Sequence, residues 1–170
     1  MILHTSWRAG RENPPPDRGR LRKLILRIAE LACPGLSCAS VTFLTPDGIA
    51  AINERFLGHH GATDVICFDY RTSGLPPVPD EEDETRGEEE DDGPEVELFL
   101  CPAVAAREAA KRGLAYSSEL TLYLVHGFLH AGGFDDLQPA LKRKMRAAEK
   151  RVRAALPPDL GGIFRTADGK

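Results

Sequence analysis

Two histidines spaced four residues apart, His126 and His130, are the side chains best placed for metal chemistry. They follow directly on an apolar run from Leu120 to Val125. A spacing of four puts two side chains on the same face of a helix, where both imidazoles can bind one metal ion. The alternative is that they are ordinary core or surface histidines whose spacing is accidental.

A glycine pair directly after this helix favours the metal interpretation. Gly132 and Gly133 permit a backbone reversal that other residues adopt poorly. The reversal is expected to bring Asp135 or Asp136 back beside the imidazoles. Two imidazoles and a carboxylate suit Zn²⁺, and three protein ligands leave a fourth position for a water molecule. The spacing therefore predicts an open site of the catalytic type.

The residue after His126 argues against a peptidase. In the peptidase helix HExxH, the glutamate at that position is the general base, whereas this chain has Gly127. Hydrolysis of a phosphodiester has less need of that base, because the metal supplies the nucleophile and basic residues can stabilise the phosphorane charge.

Length and composition set the outer bounds. At 170 residues and 42% hydrophobic, residues 1–170 are expected to form a single domain with one core. The sequence contains no run of eighteen apolar residues and no apolar signal region, which predicts a cytoplasmic protein without membrane contact. The four cysteines form no CxxC pair and are predicted to be reduced thiols.

The net charge of −4 combines two different regions. Residues 80–97 contain twelve carboxylates and one arginine, which leaves +7 for the rest of the chain. We expect residues 72–94, which are rich in acid, proline and glycine, to be a disordered insertion. A basic body favours a polyanionic partner, although an ordinary solvated surface has the same charge.

Apolar periodicity and turn residues predict the elements that position the histidines. We expect a turn at Pro46–Gly48 and Ser117 or Ser118 as the cap of the histidine helix. The predicted strands are 1–6, Ser40–Thr45, a buried Val65–Tyr70 and Val96–Cys101, and the predicted helices are Arg18–Ala32, Ile49–Phe56, Pro102–Arg112, the histidine helix and Pro139–Leu156.

The stretch HGFLHAGGFDD, residues 126–136, resembles the HGxLHLxGYDH signature of the YbeY family. Members of this family are bacterial single-domain metal-dependent endoribonucleases associated with rRNA maturation. TDVICF at 63–68 resembles the family's T(D/N)VLSF strand, Ile52-Asn53 resembles its LN pair, and VELFLC at 96–101 lies where its GDIxIS strand belongs. The resemblance spans about residues 40–136.

The resemblance implies a fold and an activity. The fold would be α/β (α+β), with a small mixed sheet, about five helices and a metal site at the end of a central helix. One Zn²⁺ would be bound by His126, His130 and Asp136, and its water would make these the catalytic residues. The implied activity is cleavage of single-stranded RNA in the 3′-end maturation of 16S rRNA and in ribosome quality control, with the small ribosomal subunit as partner.

Two positions depart from the family pattern. Asp136 replaces the family's third histidine and adds a negative charge that weakens the metal as a Lewis acid. Leu57 stands where the family usually has an arginine thought to engage RNA phosphate. Because of the leucine, the alternative is that the chain is an inactive RNA- or ribosome-binding module that retains a structural metal. This alternative loses its basis if His59, His60 or an arginine such as Arg22 supplies the missing charge.

We predict that deleting residues 74–93 leaves the fold intact, because a disordered acidic segment contributes no buried surface. Urea unfolding followed by circular dichroism measures this. Loss of cooperative unfolding in the deletion variant would show that the insertion is structural.

Overall fold

The computed structural model describes residues 1–73, 93–160 and 162–165. Its strands are β1 (Ile2–Arg8), β2 (Cys38–Leu44), β3 (Val65–Asp69) and β4 (Val96–Leu100). Its helices are α1 (Arg18–Ala32), α2 (Pro46–Ile52), α3 (Tyr70–Ser73), α4 (Pro102–Arg112), α5 (Tyr116–Ala131) and α6 (Pro139–Ala154), with a π-helical turn at Asn53–Leu57 and a 3₁₀ turn at Pro158–Leu160.

The four strands form one mixed sheet in the order β1-β2-β4-β3. β1, β2 and β4 run parallel, and β3 pairs with β4 in the antiparallel direction. All five residues of β4 are buried, as expected of an inner strand covered on both faces. The small mixed sheet with its helices confirms the predicted fold class.

Helix α5 is the central helix and packs against α1, α4, α6, β3 and β4. Leu120, Leu124 and Phe128 on this helix are fully buried. Gly127 allows a close approach to the sheet, because a Cβ at that position would lie 2.9 Å from Leu98 Cδ2. The sheet thus occupies the space that a general-base glutamate after His126 would need.

Several predicted boundaries are confirmed. α1 spans the predicted residues, and α4 runs from Pro102 to Arg112 with Gly113 as its left-handed cap at φ 65°. α4 begins and ends at residues with strong local preferences, proline in the first turn and glycine at the end. α1 begins after Asp17, whose side chain accepts a hydrogen bond from Arg20 N at 2.8 Å.

The predicted turn at Pro46–Gly48 is wrong, since α2 begins at Pro46. Thr45 is its cap, and the Thr45 hydroxyl accepts a hydrogen bond of 3.2 Å from Gly48 N. Proline in the first turn of a helix loses no intrahelical bond, so a sequence that resembles a turn can equally start a helix.

The predicted cap of the histidine helix is also wrong. α5 begins at Tyr116 with Ala115 as its cap, and no side chain caps it. Both serine hydroxyls bond to distant residues instead. Ser117 Oγ accepts from Phe164 N at 3.3 Å, and Ser118 Oγ accepts from Arg153 Nη2 at 2.6 Å.

The predicted buried strand Val65–Tyr70 is an edge strand that ends at Asp69. Only Ile66 in it is fully buried, because β3 has a neighbour on one side only in the described sheet. The acidic insertion predicted at 72–94 lies mostly outside the described residues, since 74–92 are not among them.

The cysteines at positions 33, 38, 67 and 101 all lie in described regions, and none is in a disulfide. Among the described residues, no helix is both long enough and apolar enough to cross a membrane.

We predict that Gly132→Ala destabilises the fold, because the new Cβ would lie 2.2 Å from the backbone oxygen of Ala32 at the end of α1. Relieving such an overlap costs about 1–3 kcal/mol in the free energy of unfolding, which urea denaturation measures.

Gly19→Ala in α1 is the matched control, since its Cβ would meet only Asp17 Oδ1 at 3.3 Å. We expect the control to be neutral or stabilising by up to about 1 kcal/mol, from helix propensity alone. Equal unfolding free energies for Gly132→Ala and the wild type would contradict the close approach of α1 and α5.

Candidate metal centre

The three side chains singled out in the sequence lie together at the carboxyl end of α5. His126, His130 and Asp136 each offer one ligand atom, and these atoms all lie within 4.8 Å of one another. The two Nε2 atoms are 3.0 Å apart, and His130 Nε2 is 3.8 Å from Asp136 Oδ1. The side chains are 24%, 32% and 32% exposed, so the cluster is open to solvent on one side.

The glycine turn brings Asp136 back to the histidines. Gly132 ends α5, and Gly133 follows in the left-handed region at φ 85°. Phe134 N then donates to Leu129 O at 3.0 Å, which closes the turn against the last carbonyl groups of the helix.

Asp135, the residue before the third candidate ligand, fixes the direction of the returning chain. Its Oδ1 accepts hydrogen bonds from Asp136 N at 2.6 Å and from Leu137 N at 3.0 Å. For Asp135, the sequence left open whether it or Asp136 would lie beside the imidazoles. In the structure it caps the turn, and through that turn it positions Asp136.

The Nδ1 atom of each imidazole has its own partner. His126 Nδ1 lies 2.8 Å from Glu149 Oε1, and His130 Nδ1 lies 3.0 Å from the Phe134 carbonyl oxygen. Both partners can accept a proton held on Nδ1, and a neutral ring with that proton has its Nε2 free for a metal ion. Metal-binding histidines are oriented in this way by carboxylates and carbonyl groups.

The pKa values of the two histidines are shifted in opposite directions. Burial lowers the pKa of His126, but the hydrogen bond and charge of Glu149 outweigh it, so the pKa rises above its ordinary value. Burial and the neighbouring His126 lower the pKa of His130 below its ordinary value. Two Nε2–H groups cannot face each other across 3.0 Å, so at least one lone pair points into the cluster, as a metal requires.

Glu149 was not singled out in the sequence, although a signal for it existed. It is the only acidic residue in α6, a helix with seven lysines and arginines. An isolated carboxylate on a basic helix suggests a specific partner, but sequence alone does not place α6 beside α5. The contact with His126 spans 23 residues of the chain.

Arg71 is a second supporting residue that the sequence did not reveal. Its Nη2 donates to the Ala131 carbonyl oxygen at 2.5 Å and to Asp69 Oδ2 at 2.7 Å. Its hydrogen bonds to Asp69 hold the pKa of that carboxyl below its ordinary value, so the pair stays ionised. The guanidinium thus fixes the last carbonyl of α5, one residue before the glycine turn.

The other candidate side chains do not join the cluster. His59 and His60 lie exposed after the π-helical turn, and His60 Nδ1 is 3.2 Å from Glu54 Oε1. Leu57 is 46% exposed and offers no charge. Among the described residues, His126, His130 and Asp136 are the one group whose ligand atoms are close enough for a metal ion.

The donor set fits a divalent transition metal. Two neutral imidazole nitrogens and one carboxylate oxygen match the ligands that Zn²⁺ takes in open sites. The short separation between the two Nε2 atoms also fits a shared ion.

We predict that Glu149→Gln weakens zinc binding about 10–100-fold, the usual cost of losing a carboxylate that supports a histidine ligand. The amide keeps the shape of the side chain but removes its charge from His126 Nδ1. Competition with a chromophoric chelator measures the affinity.

Glu30→Gln on α1 is the control, because Glu30 is exposed and pairs with Arg27. Equal zinc affinities for the Glu149 and Glu30 variants would remove Glu149 from the metal centre.

Known proteins resemble this chain over most of its length. The family model described as "Endoribonuclease YbeY" matches residues 16–157. A relative with that name from Salinispora tropica is 34% identical over 130 residues, which cover 74% of this chain and 78% of the relative. Another from Salinibacter ruber is 30% identical over 142 residues, covering 84% and 85%.

The coverage differs between relatives. A Frankia casuarinae protein of the same name is 32% identical over 119 residues, and the chain spans 55% of its length. The solution structure of a Thermotoga maritima protein matches with a TM-score of 0.51 and 19% identity over 90% of each chain, which shows a shared fold. The family match over residues 16–157, together with these relatives, shows that the chain belongs to the YbeY family.

Proposed function

We propose that this chain is a metal-dependent endoribonuclease that cleaves single-stranded RNA at a centre formed by His126, His130 and Asp136. The observation that carries the proposal is the convergence of three ligand atoms within 4.8 Å at the open end of α5. Family membership supports the reaction class, because the matching model and relatives are named endoribonucleases.

The resident ion in this proposal is one Zn²⁺. When bound, zinc supplies a Lewis acid that polarises water and phosphate oxygen. The protein's own residues hold and orient that centre. Glu149 and the Phe134 carbonyl direct the imidazoles, and Asp135 positions Asp136. Gly127 offers no side chain to act as the general base of a peptidase.

The cellular role follows from the family resemblance. We propose that the substrate is the 3′ end of 16S rRNA in the small ribosomal subunit, that the enzyme takes part in ribosome quality control, and that it works in the cytoplasm. Each of these statements is a proposal that rests on the proposed nuclease activity.

We predict that the zinc-loaded protein cleaves a labelled single-stranded RNA and that His130→Ala lowers the rate at least about 100-fold, because the variant loses one of three ligands. Gel analysis of the products over time measures the rate.

His4→Ala is the control, since His4 is an exposed histidine on β1. Its rate should equal that of the wild type, and a chelator should abolish cleavage in both. Equal cleavage by the wild type and His130→Ala would mean that a contaminating nuclease or another site is responsible, and would overturn the proposal.

A second candidate function is favoured by Leu57. An exposed leucine cannot bind phosphate in place of the family's arginine, which suits an RNA- or ribosome-binding module that retains metal for structure. The variant Leu57→Arg separates the two functions. An RNA-binding wild type that cleaves no RNA, beside a Leu57→Arg variant that does, would favour the binding module.

A further inference from the structure

A cavity of about 610 Å³ lies between α5 and α6 and is lined by residues of both helices, including Glu149. We call it the α5/α6 groove. Its charged lining residues are Arg146, Lys150, Arg153 and Glu149. Its apolar lining includes Leu122 on α5 and Leu156 and Pro157 after α6.

The groove adjoins the candidate metal centre through one shared side chain. Glu149 lines the groove and also binds His126 Nδ1 at 2.8 Å. On α5, Ser118 and Leu122 line the groove and His126 continues the same row, because the three residues are spaced by four. Each step of four residues advances about 6 Å along the helix. The row therefore leads from the groove to the metal ligands.

Contacts at two points show that α5 and α6 run in opposite directions. His126 pairs with Glu149, and Ser118 pairs with Arg153. Arg146 precedes Glu149 by three residues, so it lies on the metal side of this pair, and Lys150 and Arg153 lie on the other side. The cations thus follow the groove from the metal centre outward.

The groove carries a net positive charge, and its cations are not neutralised by ion pairs with other described residues. Three cations face one carboxylate, and that carboxylate is engaged by His126. Neither Arg146 nor Lys150 has an ion-pair partner among the described residues, and both side chains are exposed. Arg153 donates to the neutral hydroxyl of Ser118, which leaves its charge uncompensated.

Another face of α6 packs against the protein core. Met145, Ala148 and Val152 are buried in the core, so packing fixes the rotation of the helix about its axis. That rotation directs Arg146, Lys150 and Arg153 into the groove. Lys144 and Arg151, on the same helix, are exposed and do not line the groove.

We propose that the α5/α6 groove binds the phosphate backbone of a single-stranded RNA next to the segment held at the metal centre. This inference rests on the proposed nuclease function and names the surface that holds its substrate. The volume is that of a ligand pocket for a nucleotide-sized group, and the combination of cations and apolar side chains suits a phosphate together with a base. The groove supplies the positive charge that Leu57 does not.

The test compares two double variants of α6 with the same loss of charge. Arg146→Ala with Lys150→Ala removes two groove cations, and Lys144→Ala with Arg151→Ala removes two cations about 130° away around the helix axis. Fluorescence anisotropy with a labelled oligodeoxyuridine measures strand binding by the zinc-loaded proteins. This probe carries the backbone phosphates but is not RNA, so strand binding is measured separately from RNA cleavage.

We expect the groove variant to bind the strand about tenfold more weakly at 0.1 M salt. The slope of log K against log [salt] should fall in magnitude by about 1.4, because each of the two lost phosphate contacts accounts for about 0.7. The control variant should match the wild type. For RNA cleavage, the groove variant should raise KM more than it lowers kcat.

Equal weakening in both variants, or no strand binding by the wild type, would overturn the groove proposal. So would selective binding of an acidic peptide in place of the strand. These outcomes are distinct from failure of the nuclease proposal, in which the wild type binds strands through the groove but cleaves no RNA.

Discussion

The close approach of the carboxyl ends of α1 and α5 is the constraint on which the candidate metal centre depends. Gly132 lies so near the Ala32 backbone oxygen that a Cβ would overlap it at 2.2 Å. This contact fixes where α5 ends. The left-handed Gly133 then turns the chain, and Asp136 returns to the two histidines. Arg71 supports the same point by binding the Ala131 carbonyl.

The centre also depends on where α6 crosses α5. One face of α6 is buried in the core, and Glu149 on the neighbouring face orients His126. Because the same helix carries the groove cations, packing of α6 couples the geometry of the metal ligands to the placement of the proposed RNA contacts. With a metal bound, Asp136 would reduce the positive charge at the ion relative to a third histidine.

Local patterns were sufficient to predict much of the fold. The periodicity of α1 and the proline and glycine at the ends of α4 gave their bounds, because these signals act within a few residues. The spacing of His126 and His130 and the glycine pair indicated two imidazoles with Asp135 or Asp136, and the family resemblance pointed to Asp136. For Ser117 and Ser118 the local pattern misled, because their hydroxyls bond to residues 47 and 35 positions away.

The supporting residues of the site could not be predicted for the same reason. Glu149 and Arg71 act through contacts that depend on how separate elements pack, and the sequence gives no local signal for that. The antiparallel edge position of β3 is likewise a property of the whole sheet. Long-range contacts of this kind position ligands whose identities local spacing already suggests.

The central claim is that Asp136 completes a metal centre with the two histidines, and a crystal structure of the zinc-loaded protein tests it most directly. The account predicts one ion bound by Nε2 of His126 and of His130 at about 2.0–2.1 Å and by a carboxylate oxygen of Asp136 at about 2.0–2.2 Å. An ion bound elsewhere, or an ion at the histidines with Asp136 beyond bonding distance, would contradict it.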